Sequence, residues 1–227
     1  MALTAAVLVA GRMGSVAAEQ LPGDVRKLIV DMDEAAAKRI AEKTGGEAHT
    51  DYESLSLADV VFLVLPATVI PKAAEEAASH MKTGAVLVNM STKGEFPEDL
   101  AARYPSLSIV CAKIIGHADS MREGAPSLVV TDTEDEKVLE LLRYLLPGYA
   151  GVVQGDVTLV PKLSTIASTE GIRAAVRVKK QAEALGIPEG WFRPLIYTVC
   201  AGTARAFIDG NMGEFARQLA EQFAKEE

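Results

Sequence analysis

Short apolar runs alternate with longer amphipathic stretches from the start of the chain. Val7-Leu8-Val9, Leu28-Ile29-Val30, the run 60–65 and Val86-Leu87-Val88 are rich in β-branched residues with almost no polar interruption. Runs of this kind suit strands buried on both faces, hence a parallel sheet covered by helices. The periodicity between them predicts helices over 13–21, 33–43, 69–81 and 95–103, with Asp33 placed as an N-cap before an alanine-rich stretch. Further strands are predicted at 107–112, 127–131 and 151–154, with a helix over 134–146. Beyond Gly155-Asp156 the strand pattern stops, and 163–185, 191–209 and 213–224 all read as helices separated by Gly186-Ile187-Pro188 and Asp209-Gly210-Asn211.

The junction of the first strand and first helix reads Val9-Ala10-Gly11-Arg12-Met13-Gly14. A dinucleotide's pyrophosphate needs a glycine where the backbone approaches it and another where helix meets strand; the freed amides and the helix dipole then hold the phosphates. Gly11 and Gly14 fill those places, whereas Val9 stands where the complete fingerprint has its first glycine. Asp31 ends the second strand twenty positions after Gly11, where a carboxylate accepts hydrogen bonds from the adenosine ribose. That favours NAD over NADP, although Asp33 serves equally as a helix cap and Arg12 offers a charge for a phosphate. Ligands of open α/β sheets gather at the carboxyl ends of the strands, so Pro66 and Ala67 after one strand and Ser91 and Thr92 after another complete the expected cofactor site with Gly11, Arg12, Met13, Gly14 and Asp31.

The expected fold is therefore α/β: a Rossmann-type, doubly wound, mainly parallel sheet over residues 1–155, followed by a small all-α domain over 156–227. About 70 helical residues make a thin core. Their apolar faces are expected to pack on a second copy, giving a homodimer through the C-terminal helices. A net charge of −8 argues against nucleic acid as a partner, and no run of about 18 apolar residues is available to span a membrane. Cys111 and Cys200 are far apart and suit free thiols in a reducing cytoplasm. Acidic and histidine residues show no metal-ligand spacing, and the expected partner is a small-molecule substrate.

With Gly-Arg-Met-Gly, Ala58-Asp59-Val60-Val61 and the helical tail in view, the chain resembles the pyrroline-5-carboxylate reductase family and, more broadly, the β-hydroxyacid dehydrogenases. Arg122-Glu123-Gly124 stands where that family has Gly-Glu-Gly, Gly186-Ile187-Pro188 where it has a Gly-Leu-Pro turn. Thr198-Val199-Cys200-Ala201-Gly202-Thr203-Ala204 resembles the signature helix of its dimerisation domain. Two substrate-facing motifs depart from it: the Ser-Gly-Ser-Gly-Pro loop reads Ser164-Thr165-Ile166-Ala167-Ser168, and Met-Pro-Asn-Thr-Pro reads Ile114-Ile115-Gly116-His117-Ala118. The resemblance thus implies the scaffold and the cofactor rather than the substrate. Lys162 resembles the catalytic lysine of hydroxyisobutyrate-type dehydrogenases, with Ile166 where their asparagine falls. Ala112-Lys113-Ile114-Ile115 is similar to the NADP-dependent deazaflavin-coenzyme reductases.

Hydride transfer to a carbonyl or imine needs a proton donor and groups that orient the substrate. His117, at a strand end with a near-neutral pKa in its free form, is one candidate acid. Lys113 and Lys162, in apolar surroundings, are candidates to polarise a carbonyl, hold a carboxylate or donate a proton. Ser164, Ser168 and Thr169 fall where the resemblance puts the substrate loop. The expected activity is NAD(P)-dependent oxidation or reduction of a small carbonyl, imine or hydroxy compound. A dinucleotide-binding sensor without catalysis, or a deazaflavin-coenzyme reductase, stands as the alternative.

Overall fold

The computed structural model describes residues 3–9 and 11–225. Ala10, inside the expected phosphate loop, lies outside the described residues. Eight strands, β1 (Thr4–Val9), β2 (Arg26–Val30), β3 (Glu47–His49), β4 (Val60–Val64), β5 (Val86–Asn89), β6 (Ser108–Ile115), β7 (Leu128–Thr131) and β8 (Gly151–Gln154), form one sheet in the order β3-β2-β1-β4-β5-β6-β7-β8. Pairing is parallel from β3 through to β6. It turns antiparallel between β6 and β7 and is parallel again between β7 and β8. Helices α1 (Gly11–Glu19), α2 (Glu34–Thr44), α3 (Ile70–His80), α4 (Leu100–Arg103), α5 (Ala118–Arg122) and α6 (Glu136–Leu145) connect the strands. The fold is the mainly parallel, Rossmann-type α/β sheet that the strand–helix alternation predicts.

Strand side chains alternate between two cores, as a sheet covered on both faces requires. Ala5, Val7 and Val9 of β1 cluster with Phe62, with Val16 of α1 and with Leu142 and Leu145 of α6. Ala6 and Leu8 cluster instead with Val61 and Leu63, and with Ile70, Ala74 and Ala77 of α3. Asp33 caps α2 by accepting the amides of Ala35 and Ala36, and Gly45, in the left-handed region, closes that helix. Asp135 likewise accepts the Lys137 amide at the start of α6.

Three elements differ from the sequence expectation. The helix predicted over 95–103 shrinks to α4, because Pro97 supplies no amide and restricts Phe96 to extended backbone. The edge strand β3, Glu47-Ala48-His49, is three residues long, too short to leave a period. β6 runs on to Ile115, past the predicted end at 112, because Ala112 and Ile114 remain on the buried face while Lys113 points to the other.

The chain divides into two compact units, one ending at Leu163 and the other starting at Ser164, and α7 (Leu159–Ala184) runs through that division. The second unit continues with α8 (Phe192–Pro194), a π-helical segment (Leu195–Cys200), α9 (Ala201–Ile208) and α10 (Glu214–Phe223). The interruption of the helix predicted over 191–209 has a local cause. The Thr198 hydroxyl donates to the Pro194 carbonyl at 2.5 Å and so competes with the helical amide for that acceptor. Ala182 is the one buried apolar residue of this unit among those described, whereas Ile172, Trp191, Tyr197, Phe207, Ile208 and Phe215 are exposed. No helix among the described residues is long and apolar enough to cross a membrane.

Asp59 clamps the amino-terminal edge of the sheet, taking the Thr4 amide at 2.8 Å and Lys82 Nζ at 2.6 Å. Burial works to raise its pKa, but the Lys82 and Thr4 hydrogen bonds outweigh it and hold the carboxyl below its usual 3.8. A depressed carboxyl stabilises the fold above its unfolded pKa, and that share is lost as pH falls through the folded value. Urea denaturation should therefore show wild type more stable than Asp59→Asn at pH 7, with the gap closing as pH falls below 3.8. A gap that does not depend on pH would contradict this.

Candidate functional site

The chain winds outward from β1 through β2 to β3, then returns to place β4 on the other side of β1. The carboxyl ends of β1 and β4 therefore part at a topological switch point, where open α/β sheets take their ligands. Gly11 stands there, opening α1 with φ +73°, and a Cβ built on it would meet no atom within 4 Å. The left-handed backbone favours glycine at this point, and the space above it is open. Gly14, one turn on, is where the helix lies on the strand: a Cβ there would sit 3.0 Å from both Cα and Cβ of Val9. Val9, standing where the fingerprint has a glycine, is thus turned into the helix–strand contact and buried in the core. Met13 packs against the same core. The first-turn amides of α1 and the positive end of its dipole fit a pyrophosphate.

Asp31 follows β2 and is half-buried; its Oδ1 accepts the Asp33 amide at 3.0 Å. Arg12 is 72% exposed and its guanidinium is engaged by Asp119 of α5 at 2.8 Å, while Arg122 donates to the Arg12 carbonyl at 3.3 Å. Between the ends of β2 and β4 lies a cleft of about 640 Å³ with Met32, Leu65, Thr68, Val69 and Ala73 in its wall and Asp51, Glu53 and Glu76 at its polar positions. Lys72 and His80 also line it, and its apolar wall fits an adenine ring. Pro66 and Ala67, expected from the sequence, start the turn into α3 beside this cleft, while Met32 and Val69 were not expected there. Met32 is apolar two residues past the end of β2, and Val69 lies in the turn that leads into α3.

The turn after β5 is internally bonded. Asn89, 0% exposed, accepts the Ser91 amide on Oδ1 and donates from Nδ2 to the Gly94 carbonyl, both at 2.9 Å, and Ser91 Oγ accepts the Gly94 amide at 3.2 Å. Ser91 is therefore buried inside the turn, while Thr92 is half-exposed. A Cβ on Gly94 would come within 2.5 Å of Ile70 Cγ1, so the turn lies tight on α3. Beyond it is a second cleft, of about 660 Å³, whose walls include Lys93, Phe96, Ile109, Cys111, Lys113 and Lys162.

The structure brings two of the three candidate catalytic residues, Lys113 and Lys162, to this one cleft. Lys113 is buried and donates to main-chain carbonyls, whereas Lys162 is exposed near the start of α7. His117 is outside that lining; it is exposed, precedes α5 without a side-chain capping bond, and has Ser120 Oγ 3.4 Å from Nδ1. Ser164, Ser168 and Thr169 belong to the second unit, along α7. Cys111 is a free thiol whose pKa is pushed up to about 12, by burial first and the Asp132 carboxylate second, which disfavours the nucleophilic thiolate.

No family model matches the chain, and no curated protein is similar to it in sequence. Solved structures are similar in fold. A pyrroline-5-carboxylate reductase from Coxiella burnetii superposes with a TM-score of 0.71 at 15% identity, over 98% of this chain and 84% of that one. A semialdehyde dehydrogenase NAD-binding protein from Cupriavidus necator, in complex with calcium and NAD, gives 0.69 at 19% identity over 99% and 90%. A 3-hydroxyisobutyrate dehydrogenase from Salmonella typhimurium gives 0.68 at 19% identity over 92% and 79%. At such identities the likeness establishes the fold.

Gly14→Ala should push α1 off β1 and cost about 1–3 kcal/mol in urea unfolding. An unchanged midpoint would show that the helix yields without strain.

Proposed function

We propose that the protein is an oxidoreductase that binds NAD(H) at the β1–α1 turn and acts on a small carbonyl, imine or hydroxy compound in the cleft bordered by Lys113 and Lys162. One observation carries the reading. Gly11, in the left-handed region with open space above it, heads α1 at the switch point of a mainly parallel sheet, and Asp31 follows the neighbouring strand. The similar structures include one bound to NAD and two whose names are those of a reductase and a dehydrogenase.

Main-chain amides of α1 would hold the pyrophosphate, and Asp31 Oδ2 the ribose hydroxyls of the adenosine half. Arg12 is paired with Asp119, and in the adenosine-side cleft the carboxylates of Asp51, Glu53 and Glu76 outnumber the one lysine, Lys72, which favours a free ribose hydroxyl over a 2′-phosphate. Bound there, the nicotinamide supplies or accepts a hydride. Lys162, exposed at the second cleft, orients the substrate and gives a proton to its oxygen or nitrogen; Phe96 and Ile109 exclude water from its apolar side. The resemblance to pyrroline-5-carboxylate reductases supports the scaffold, while the altered residues 114–118 and 164–168 speak against proline synthesis. The exposed apolar side chains of the second unit support a homodimer built through the C-terminal helices.

Calorimetry should register NADH binding clearly tighter than NADPH binding. Asp31→Ala should narrow that preference by about tenfold, the equivalent of one hydrogen bond to a charged group. No heat and no thermal stabilisation with either cofactor would remove the reading. Across a panel of keto acids and cyclic imines, Lys162→Ala should abolish NADH turnover while NADH affinity stays unchanged. A wild type that binds NADH but turns over none of the panel favours a sensor. Light scattering at micromolar concentration should give twice the chain mass, and a stable monomer would remove the dimer.

A further inference from the structure

Lys113 is held more firmly than a proton donor needs to be. It lies on the half of β6 that extends beyond β5, is 4% exposed, and donates from Nζ to the carbonyls of Thr92 at 3.3 Å and Gly94 at 3.1 Å. It forms no ion pair among the described residues. Burying an amino group against main-chain carbonyls alone carries a desolvation cost that an apolar side chain of similar length avoids. Its place is accounted for by what it holds.

What it holds is the crown of the turn after β5. Asn89 and Ser91 already bond the two ends of that turn, at the Ser91 amide and at the Gly94 amide and carbonyl. The Thr92 carbonyl, between them, is bonded by Lys113. The chain from Ser91 to Gly94 lies at the carboxyl end of β5, on the side of the switch point where the second mononucleotide half of a dinucleotide is bound.

Resting on the NAD(H) reading above, we propose that Lys113 is a positioning residue for the nicotinamide half of the cofactor. It ties the Thr92–Gly94 main chain to β6 and thereby sets the surface on which that half lies. No proton leaves Lys113 in this role. The β6 overhang makes the tie available, since a strand ending level with β5 would leave residue 113 no position beneath the turn.

The experiment compares wild type, Lys113→Met and Lys113→Arg as full chains, with NADH and with ADP-ribose, which lacks the nicotinamide. Positioning predicts that Lys113→Met weakens NADH binding by about tenfold, the loss of hydrogen bonds from a buried amino group. ADP-ribose affinity should stay within about twofold, and Lys113→Arg, which keeps the donors, should recover most of the NADH affinity. Equal NADH affinity in wild type and Lys113→Met overturns the proposal, as does an equal loss for both ligands, which marks a general structural role. If wild type binds ADP-ribose but gains nothing from the nicotinamide, the proposal fails while the adenosine site stands. If it binds neither, the NAD(H) reading itself fails. Should Lys113→Met not fold, Lys113→Leu, which likewise removes the donors, carries the same comparison.

Discussion

The contact of α1 with β1 at Gly14 and Val9 sets the geometry on which the candidate site depends. A helix can present its first-turn amides to a ligand at a sheet edge only if its axis lies close over the strand it follows. Here that closeness is achieved with 3.0 Å between the Val9 backbone and the place a Gly14 side chain would occupy. The same contact explains why a valine is tolerated where dinucleotide-binding loops usually carry glycine: its side chain fills the room left by Gly14 and points away from the open space above Gly11. Small size is needed at one partner of the pair, not at both.

Across the switch point the electrostatics change sign. The cleft between β2 and β4 has Asp51, Glu53 and Glu76 against Lys72 and His80, whereas the cleft beyond β5 has Lys93, Lys113 and Lys162 against Glu95 and Glu98. The acidic side suits ribose hydroxyls and a ring amine, and the basic side suits an anionic or strongly polarised group. The chain's net charge of −8 conceals this division.

Much of this was legible in the sequence, for physical reasons that differ by element. β1, β2, β4 and β5 are buried on both faces, so their residues had to be continuously apolar, and they read as strands. Gly11 and Gly14 declared themselves because the backbone there has no alternative. β3 did not, since Glu47-Ala48-His49 at an edge is too short to show a burial pattern, and the helix predicted over 95–103 failed because Pro97 outweighs the periodicity around it. The residue type of Lys113 pointed to substrate or proton chemistry, but its burial under a turn depends on β6 outreaching β5, which no local pattern records. Met32, Leu65 and Val69 come together only through the strand order.

β6 pairs with β5 through residues 108–111 and with β7 through 112–115, so one strand serves two ladders of opposite sense in succession. Its second half has a buried face, Ala112 and Ile114, which anchors it, and an opposite face that no strand on the β5 side covers. On that face Lys113 is buried beneath the turn after β5, whereas Ile115 at the end of the strand is only half-buried. Diversification of the crevice, whether by drift or by design, has at position 115 a place to act that leaves the Lys113 tie intact.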